Sequence, residues 1–185
     1  MGSLSKVQKQ VILGSILGDG YMRKKTNAHL QITHSYTQKE YVDWKYEILK
    51  DLVLTKPSKY KGNANRIGYR FFTRSLPELT KFYDIFYKGK EKIVPKGIIL
   101  TPITLAILYM DDGNKSYKSC YFNTQKFSNE SQENLMKALK LLGINSNLNR
   151  DKKYFRIRIT TESTQILFRM IKKFIVPSML YKISI

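Results

Sequence analysis

The chain has 185 residues, with 33 Lys and Arg against 14 Asp and Glu, a formal net charge of +19. Its 42% hydrophobic and 25% charged residues fit one or two globular domains and exclude a long disordered, collagen-like or coiled-coil chain. A single cysteine, Cys120, excludes a disulfide framework and a multi-cysteine zinc site.

The N-terminus, Met1 to Lys6, lacks the apolar segment of a signal peptide, and Lys6 stands where a myristoylation signal needs Ser or Thr. Ser5 and Gln8 have capping-box spacing ahead of the apolar run Val11 to Gly20, which predicts a helix. A glycine after its last turn is suited to the left-handed conformation. Gly14 and Gly18 fall four apart on that helix, where each costs about 1 kcal/mol relative to alanine; close approach of another backbone is the usual compensation. Leu30 to His34 reads as a strand. Lys39 to Val53 reads as a helix with Tyr41, Trp44, Ile48 and Val53 on its buried face. His29 and His34, five apart in a strand region, are expected at the surface or facing nucleic acid, not as metal ligands. A weak strand at Ser58 to Lys61, a strand from Ile67 to Thr73 and a helix from Leu76 to Tyr87 complete the first half.

Pro95 and Gly97 punctuate the stretch from Gly89 to Leu100 and divide the chain into residues 1–95 and 96–185. The apolar run from Ile98 to Met110 is too short to span a bilayer and contains Thr101, Pro102 and Thr104. Thr101 as N-cap and Pro102 as first helical residue open a second apolar helix that ends at Gly113. A strand at Tyr121 to Gln125 follows, then a helix from Asn129 to Leu142 behind Ser128 and before Gly143. A weak strand at Asn145 to Arg150, a strand from Phe155 to Thr160 and a helix from Ser163 to Phe174 end the pattern. Period-two alternation puts Phe155, Ile157 and Ile159 on one face of the last strand and Tyr154, Arg156 and Arg158 on the other. In the first half the same split sets Ile67, Tyr69, Phe71 and Thr73 against Arg66, Gly68, Arg70 and Phe72.

The halves therefore repeat, and both are basic: residues 1–100 hold 19 basic and 8 acidic residues, residues 101–185 hold 14 and 6. Spread charge of this size indicates a polyanionic partner, nucleic acid before a membrane surface, since no basic amphipathic helix stands apart from the folded pattern. Lysine outnumbers arginine 25 to 8, as in an AT-rich coding sequence of an organelle, phage or AT-rich bacterium. The sharpest repeat is Asp19 and Asp112, 93 residues apart, each at the C-terminal end of an apolar helix. A carboxylate there opposes the helix dipole and costs up to about 1 kcal/mol. If the two helices pack side by side through Gly14, Gly18 and Ala106, the acids meet, and divalent cations between them would offset their repulsion and suit phosphodiester hydrolysis.

Ile12-Leu-Gly-Ser-Ile-Leu-Gly-Asp-Gly20 and Leu105-Ala-Ile-Leu-Tyr-Met-Asp-Asp-Gly113 resemble the two motif copies of the single-chain LAGLIDADG homing endonucleases. Leu100-Thr-Pro-Ile-Thr-Leu-Ala106, Asn123-Thr-Gln-Lys-Phe127 and Val176-Pro-Ser-Met-Leu-Tyr-Lys182 are similar to blocks of the intron-encoded mitochondrial branch. The resemblance implies an α+β fold of two pseudo-symmetric αββαββα halves packed through their motif helices, with sheets saddled on the DNA major groove. The residues show one strand where the family has two after each motif helix; Tyr21 to Leu30 and Asn114 to Lys118 are left to supply the others. The first motif departs from the family at Ser15 and Leu17.

By motif position Asp19 and Asp112 would bind two or three Mg²⁺ shared between them, with Gly18 and Asp111 as secondary ligands, Asp111 standing where the family often has alanine. Lys92 and Lys182 match the family's active-centre lysines, with Lys90, Lys96 and Lys173 close by. Arg66, Arg70, Lys118, Lys152, Lys153, Arg156 and Arg158 are expected to hold DNA. The implied activity is Mg²⁺-dependent, site-specific, staggered double-strand cleavage of DNA by a monomer. The alternatives are an intron maturase with RNA as partner and a DNA-binding regulator that does not cut.

Overall fold

The computed structural model describes residues 3–183; Met1 and Gly2, part of the N-terminal reading above, lie outside them. Helix α1 (Lys6–Leu17) starts where the sequence signals it: the Gln8 amide donates to Ser5 Oγ, and the Ser5 amide donates to the Gln8 side chain. Helix α4 (Pro102–Asp112) starts behind Thr101, whose hydroxyl accepts the Thr104 amide. Every residue of α4 from Ile103 to Met110 is buried, as expected of a helix that is apolar all round.

Each of these helices leads into an antiparallel four-stranded sheet. The first sheet comprises β1 (Tyr21–Lys24), β2 (Ala28–Ser35), β3 (Ser58–Lys61) and β4 (Ile67–Phe72) in the order β1-β2-β4-β3. Helix α2 (Lys39–Leu49) connects its two hairpins, and α3 (Pro77–Phe86) follows. A small hairpin, β5 (Tyr87–Lys88) with β6 (Glu91–Lys92), then leads towards α4. The second sheet comprises β7 (Gly113–Lys115), β8 (Cys120–Phe122), β9 (Ser146–Asp151) and β10 (Tyr154–Ile159) in the matching order β7-β8-β10-β9. Helix α5 (Asn129–Leu141) connects its hairpins and α6 (Thr161–Ile171) follows. The chain is thus two αββαββα units joined through α1 and α4, and β1 and β7 supply the strands that the sequence shows only weakly.

Glycine lets the two motif helices touch. A Cβ at Gly14 would lie 2.8 Å from Ile107 Cβ and 2.9 Å from the Thr104 carbonyl oxygen; one at Gly18 would lie 2.5 Å from Asp111 Cβ. Thr104, Ile107 and Asp111 are therefore the positions α4 presents to these glycines. Ala106, expected at this seam, is fully buried.

Four expectations need correction. The motif glycines are not left-handed: Gly18 caps α1 at φ −98° and Gly113 caps α4 at φ −75°, and Gly20 is not among the glycines of positive φ. Crowding explains Gly20 and Gly113 instead. A Cβ at Gly20 would stand 2.6 Å from the Ser15 carbonyl oxygen, and one at Gly113 would run into Tyr109. The strand read at Tyr121 to Gln125 ends at Phe122, because the Thr124 amide turns back to the Phe122 carbonyl. Trp44 is only partly buried, stacked on Tyr41 at 6.2 Å. The alternation of β10 holds for Ile157 and Ile159 but leaves Phe155, at the strand's start, 39% exposed.

Among the described residues no helix is long and apolar enough to cross a membrane.

Candidate active site and nucleic-acid face

The ends of α1 and α4 come together. Asp19 follows α1 by two residues with its side chain 44% exposed, while Asp112 closes α4 and is partly buried. Both line one cavity of about 310 Å³ with Lys92, Lys90, Asn123 and Lys126. Burial, joined by the negative charges of Asp19 and Asp111, pushes the Asp112 carboxyl up to about 7. Such a group takes up positive charge readily, since each unit of displacement corresponds to about 1.4 kcal/mol of unfavourable interaction for the ionised form.

The two lysines read from the local blocks occupy parallel places. Lys92 Nζ donates to the Gly18 carbonyl oxygen at 2.7 Å, at the end of α1. Lys182, delivered by the 3₁₀ turns of Pro177–Lys182, donates to the Met110 carbonyl at 2.6 Å and the Gly113 carbonyl at 3.2 Å, at the end of α4. A cation at a helix C-terminus satisfies carbonyls that lack an intrahelical partner and complements the dipole. Burial lowers both ammonium groups, Lys92 to about 8, against the raising pull of the nearby acids. Lys96 and Lys173, the alternatives, are exposed, and Lys90 lines the cavity.

Asp111 departs most from its sequence reading. Its side chain is fully buried. Oδ2 accepts the backbone N–H of Asp19 at 3.0 Å; Oδ1 accepts Tyr41 Oη at 2.7 Å and Lys45 Nζ at 3.0 Å. Burial alone would raise its carboxyl, but Lys45, His34 and the hydrogen bonds outweigh it and hold it below the usual carboxylate range. Burial also pulls Lys45 towards neutrality; the three donors converging on Asp111 favour the carboxylate, so the pair is ionic.

His34 completes the cluster. It lies on the buried face of β2, 5.1 Å from the Tyr41 ring, with Nε2 3.5 Å from Lys45 Nζ and Nδ1 3.8 Å from Asp19 Oδ2. Burial and Lys45 lower its pKa and favour the neutral ring. The surface expectation is therefore wrong for His34. His29 fits it, partly exposed on the opposite face.

Asp19, His34 and Asp111 offer donor atoms within 4.8 Å of one another, but Lys45 already supplies that group with a cation. Asp19 and Asp112 differ from that group: Asp19 is exposed, and at Asp112 burial and the neighbouring acids outweigh the positive charges of Lys92 and Lys126. The Gly18 carbonyl oxygen is engaged by Lys92, and both Asp111 oxygens by protein donors. Lys45 and Tyr41 were missed in the sequence. The available signal was a lysine at Tyr41, Lys45 and Leu49 spacing, one charge on an apolar helix stripe.

The outward faces of the two sheets carry hydrogen-bonding side chains. On the first, Arg23 pairs with His29, Tyr21 with Gln31, and Thr33 with Arg70. On the second, Tyr121 stands opposite Arg158 and Asn114, and Arg156 opposite Asn149. The arginines are pre-set on rings: Arg70 lies 4.2 Å from the Tyr60 centroid and Arg156 4.1 Å from that of Tyr121. Arg158 Nε reaches Ser119 Oγ at 3.4 Å. Arg66 lines an open groove of about 970 Å³ over the first sheet, along with Asp19 and Tyr60. Lys118, Lys152 and Lys153 are exposed at turns of the second sheet.

The sequence matches the model of the LAGLIDADG DNA endonuclease family over residues 9–167. It is 28% identical to the probable intron-encoded endonuclease 1 of Wickerhamomyces canadensis, over 98% of this chain and 85% of the relative. It is 29% identical to the cytochrome b mRNA maturase bI2 of Saccharomyces cerevisiae, over 100% of this chain and 49% of that protein. The fold superposes on the homing endonuclease I-WcaI bound to its DNA recognition sequence with a TM-score of 0.92, at 26% identity, over 100% of this chain and 88% of that one.

Proposed function

The chain belongs to the LAGLIDADG DNA endonuclease family, and from that premise we propose that it cuts both strands of a long DNA site at the cavity between Asp19 and Asp112. It is a homing endonuclease, and the observation that carries the mechanism is the convergence of these acids with Lys92 in one cavity between two basic sheets. Asp19 and Asp112 would hold divalent cations, Mg²⁺ in the cell. Bound there, such ions activate water and stabilise the leaving oxygen of a phosphodiester.

The chain's own residues do the rest. Lys92 and Lys182 anchor the ends of the motif helices and keep ammonium charge beside the acids, favouring an approaching phosphate. Arg70, Arg156 and Arg158, backed by Tyr60, Tyr121 and Ser119, would read base edges in the major groove, where an arginine fork onto guanine discriminates by about 1–3 kcal/mol. Arg66, Lys118, Lys152 and Lys153 would hold phosphates and bind all sequences alike. In this reading residues 1–95 contact one half of the site and residues 96–185 the other, and the protein acts as a monomer. Its lysine-rich composition and its intron-encoded relative support an organellar gene.

The test is incubation with a randomised duplex library in Mg²⁺ and sequencing of the ends. Staggered paired ends at one motif, absent with EDTA, are expected; no ends, or ends that persist in EDTA, would refute it. The maturase relative favours a second activity on intron RNA, which a splicing assay with the same protein would reveal.

A further inference from the structure

The two acids are supported in different ways. Beneath Asp19 lies a charged cluster: Asp111 Oδ2 takes its backbone N–H at 3.0 Å, and His34 Nδ1 stands 3.8 Å from its carboxylate. Asp111 is in turn fixed by Tyr41 and by Lys45, whose side chain has no exposed surface and whose ammonium lies 4.2 Å from the Tyr41 ring centroid. Among the described residues no buried ion pair stands in the equivalent place under Asp112. By the 93-residue repeat the counterpart of Asp111 is Gly18, which has no side chain. Where α5 packs on the second sheet, its buried polar side chains, Ser131, Gln132 and Asn134, are all neutral, and Gln132 Nε2 donates to the Thr124 and Phe155 carbonyls.

We propose that Lys45, acting through Asp111, is a positioning residue for Asp19, so that the two strands of the target depend unequally on this buried pair. The physical route is short. A carboxylate with both oxygens engaged cannot turn, and it holds the Asp19 amide, hence the direction in which the Asp19 side chain leaves the turn after α1. Without the Lys45 ammonium, Asp111 loses a donor that lies 3.0 Å from Oδ1 and 3.3 Å from Oδ2, its carboxylate is free to rotate, and the Asp19 N–H loses a fixed acceptor. Asp112 is set by its place within α4 and by Lys182 on the Met110 and Gly113 carbonyls, none of which involves Lys45.

The inference rests on the cleavage reading above, so its test has one arm that needs no cleavage. The variants are Lys45→Met, Asp111→Asn and the two combined; the double variant leaves no unpaired buried charge and stands in if a single one fails to fold. Without DNA or metal, hydrogen exchange at the Asp19 amide should quicken at least tenfold in Lys45→Met or the double variant, while the Gly113 amide keeps its rate. With a duplex carrying the selected site, labelled separately on each strand, single-turnover cleavage of one strand should slow at least tenfold and the other by less than threefold. Nicked plasmid would then accumulate with the break always in the same strand, at unchanged DNA affinity. Equal slowing of both strands, or an unchanged Asp19 exchange rate, would overturn the proposal. If the parent cuts neither strand, the cleavage reading fails, and the exchange measurement alone decides whether Lys45 positions Asp19.

Discussion

Asp112→Asn should make the metal-free protein more stable near neutral pH while removing its activity. The Asp112 carboxyl is moved from its ordinary value of 3.8 to about 7 by burial and by Asp19 and Asp111. As the pH rises past about 4, the unfolded chain releases this proton while the folded chain keeps it until about 7. Deprotonation thus favours unfolding, and the contribution of this group is fully present below pH 4, declines up to pH 7 and is lost above it. At about 1.4 kcal/mol per pH unit the full loss would be about 4 kcal/mol, and solvent access to the partly buried group trims it to about 2–4 kcal/mol. Asparagine carries no such dependence. In EDTA at pH 8 the variant should therefore melt roughly 5–15 °C above the parent, at about 2–4 °C per kcal/mol for a chain of this size. The gap should shrink steadily towards pH 4.5, and Mg²⁺ at pH 8 should narrow it by binding the folded parent alone. Urea or thermal unfolding of both proteins across this pH range is the assay. A variant no more stable than the parent at pH 8, or a gap that does not shrink on acidification, would show that Asp112 is not a strained acid awaiting a cation.

Asp19→Asn and Asp112→Asn should each abolish double-strand cleavage yet bind the target at least as tightly as the parent, because each removes negative charge from the centre of the footprint; a gel-shift titration beside the cleavage assay separates the two effects. Gly14→Ala should destabilise the chain by about 1–3 kcal/mol even though alanine is the better helix former, since overpacking a tight contact costs that much; a urea midpoint equal to the parent's would refute the close contact with Ile107 and Thr104. Arg156→Ala or Arg158→Ala should relax the selected sequence at a few neighbouring base pairs, whereas Lys152→Ala should weaken all sequences alike and reduce the slope of log affinity against log salt by about one. An unchanged base profile for the arginine variants would make those side chains phosphate contacts.

What could be read beforehand was what local periodicity and repetition encode. The capping box at Ser5, the Thr101 and Pro102 start of α4 and the outward arginines of β10 follow from spacing within one element, and all are present. The short strands β1 and β7 were faint because their order comes from pairing with β2 and β8, not from alternation of their own. His34 could have been placed: it shares parity with Ala28, Leu30 and Ile32, whereas His29 does not, and five residues along a strand reverses the face. The pairing of Lys45 with Asp111 was beyond such reasoning, although each is anomalous alone. A lysine on a buried stripe and an acid in an apolar helix become intelligible only when the fold brings residues 66 positions apart within 3.0 Å.

The same pair explains why a duplicated chain keeps its most conspicuous asymmetry at the helix seam. Gly18 and Asp111 occupy matching places in the repeat, and the Asp111 side chain fills the space that Gly18 leaves open. Two aspartates there would set two carboxylates against each other at the seam, with the single ammonium of Lys45 to offset them. Two glycines would leave a void beside the Asp19 amide, deprive its N–H of an acceptor and strand Lys45 without a counter-ion, since Asp111 is its acidic partner. One glycine with one aspartate fills the seam and balances the charge. The cost is that the chemically identical acids Asp19 and Asp112 no longer sit in identical surroundings, one backed by an ion pair and the other left short of positive charge.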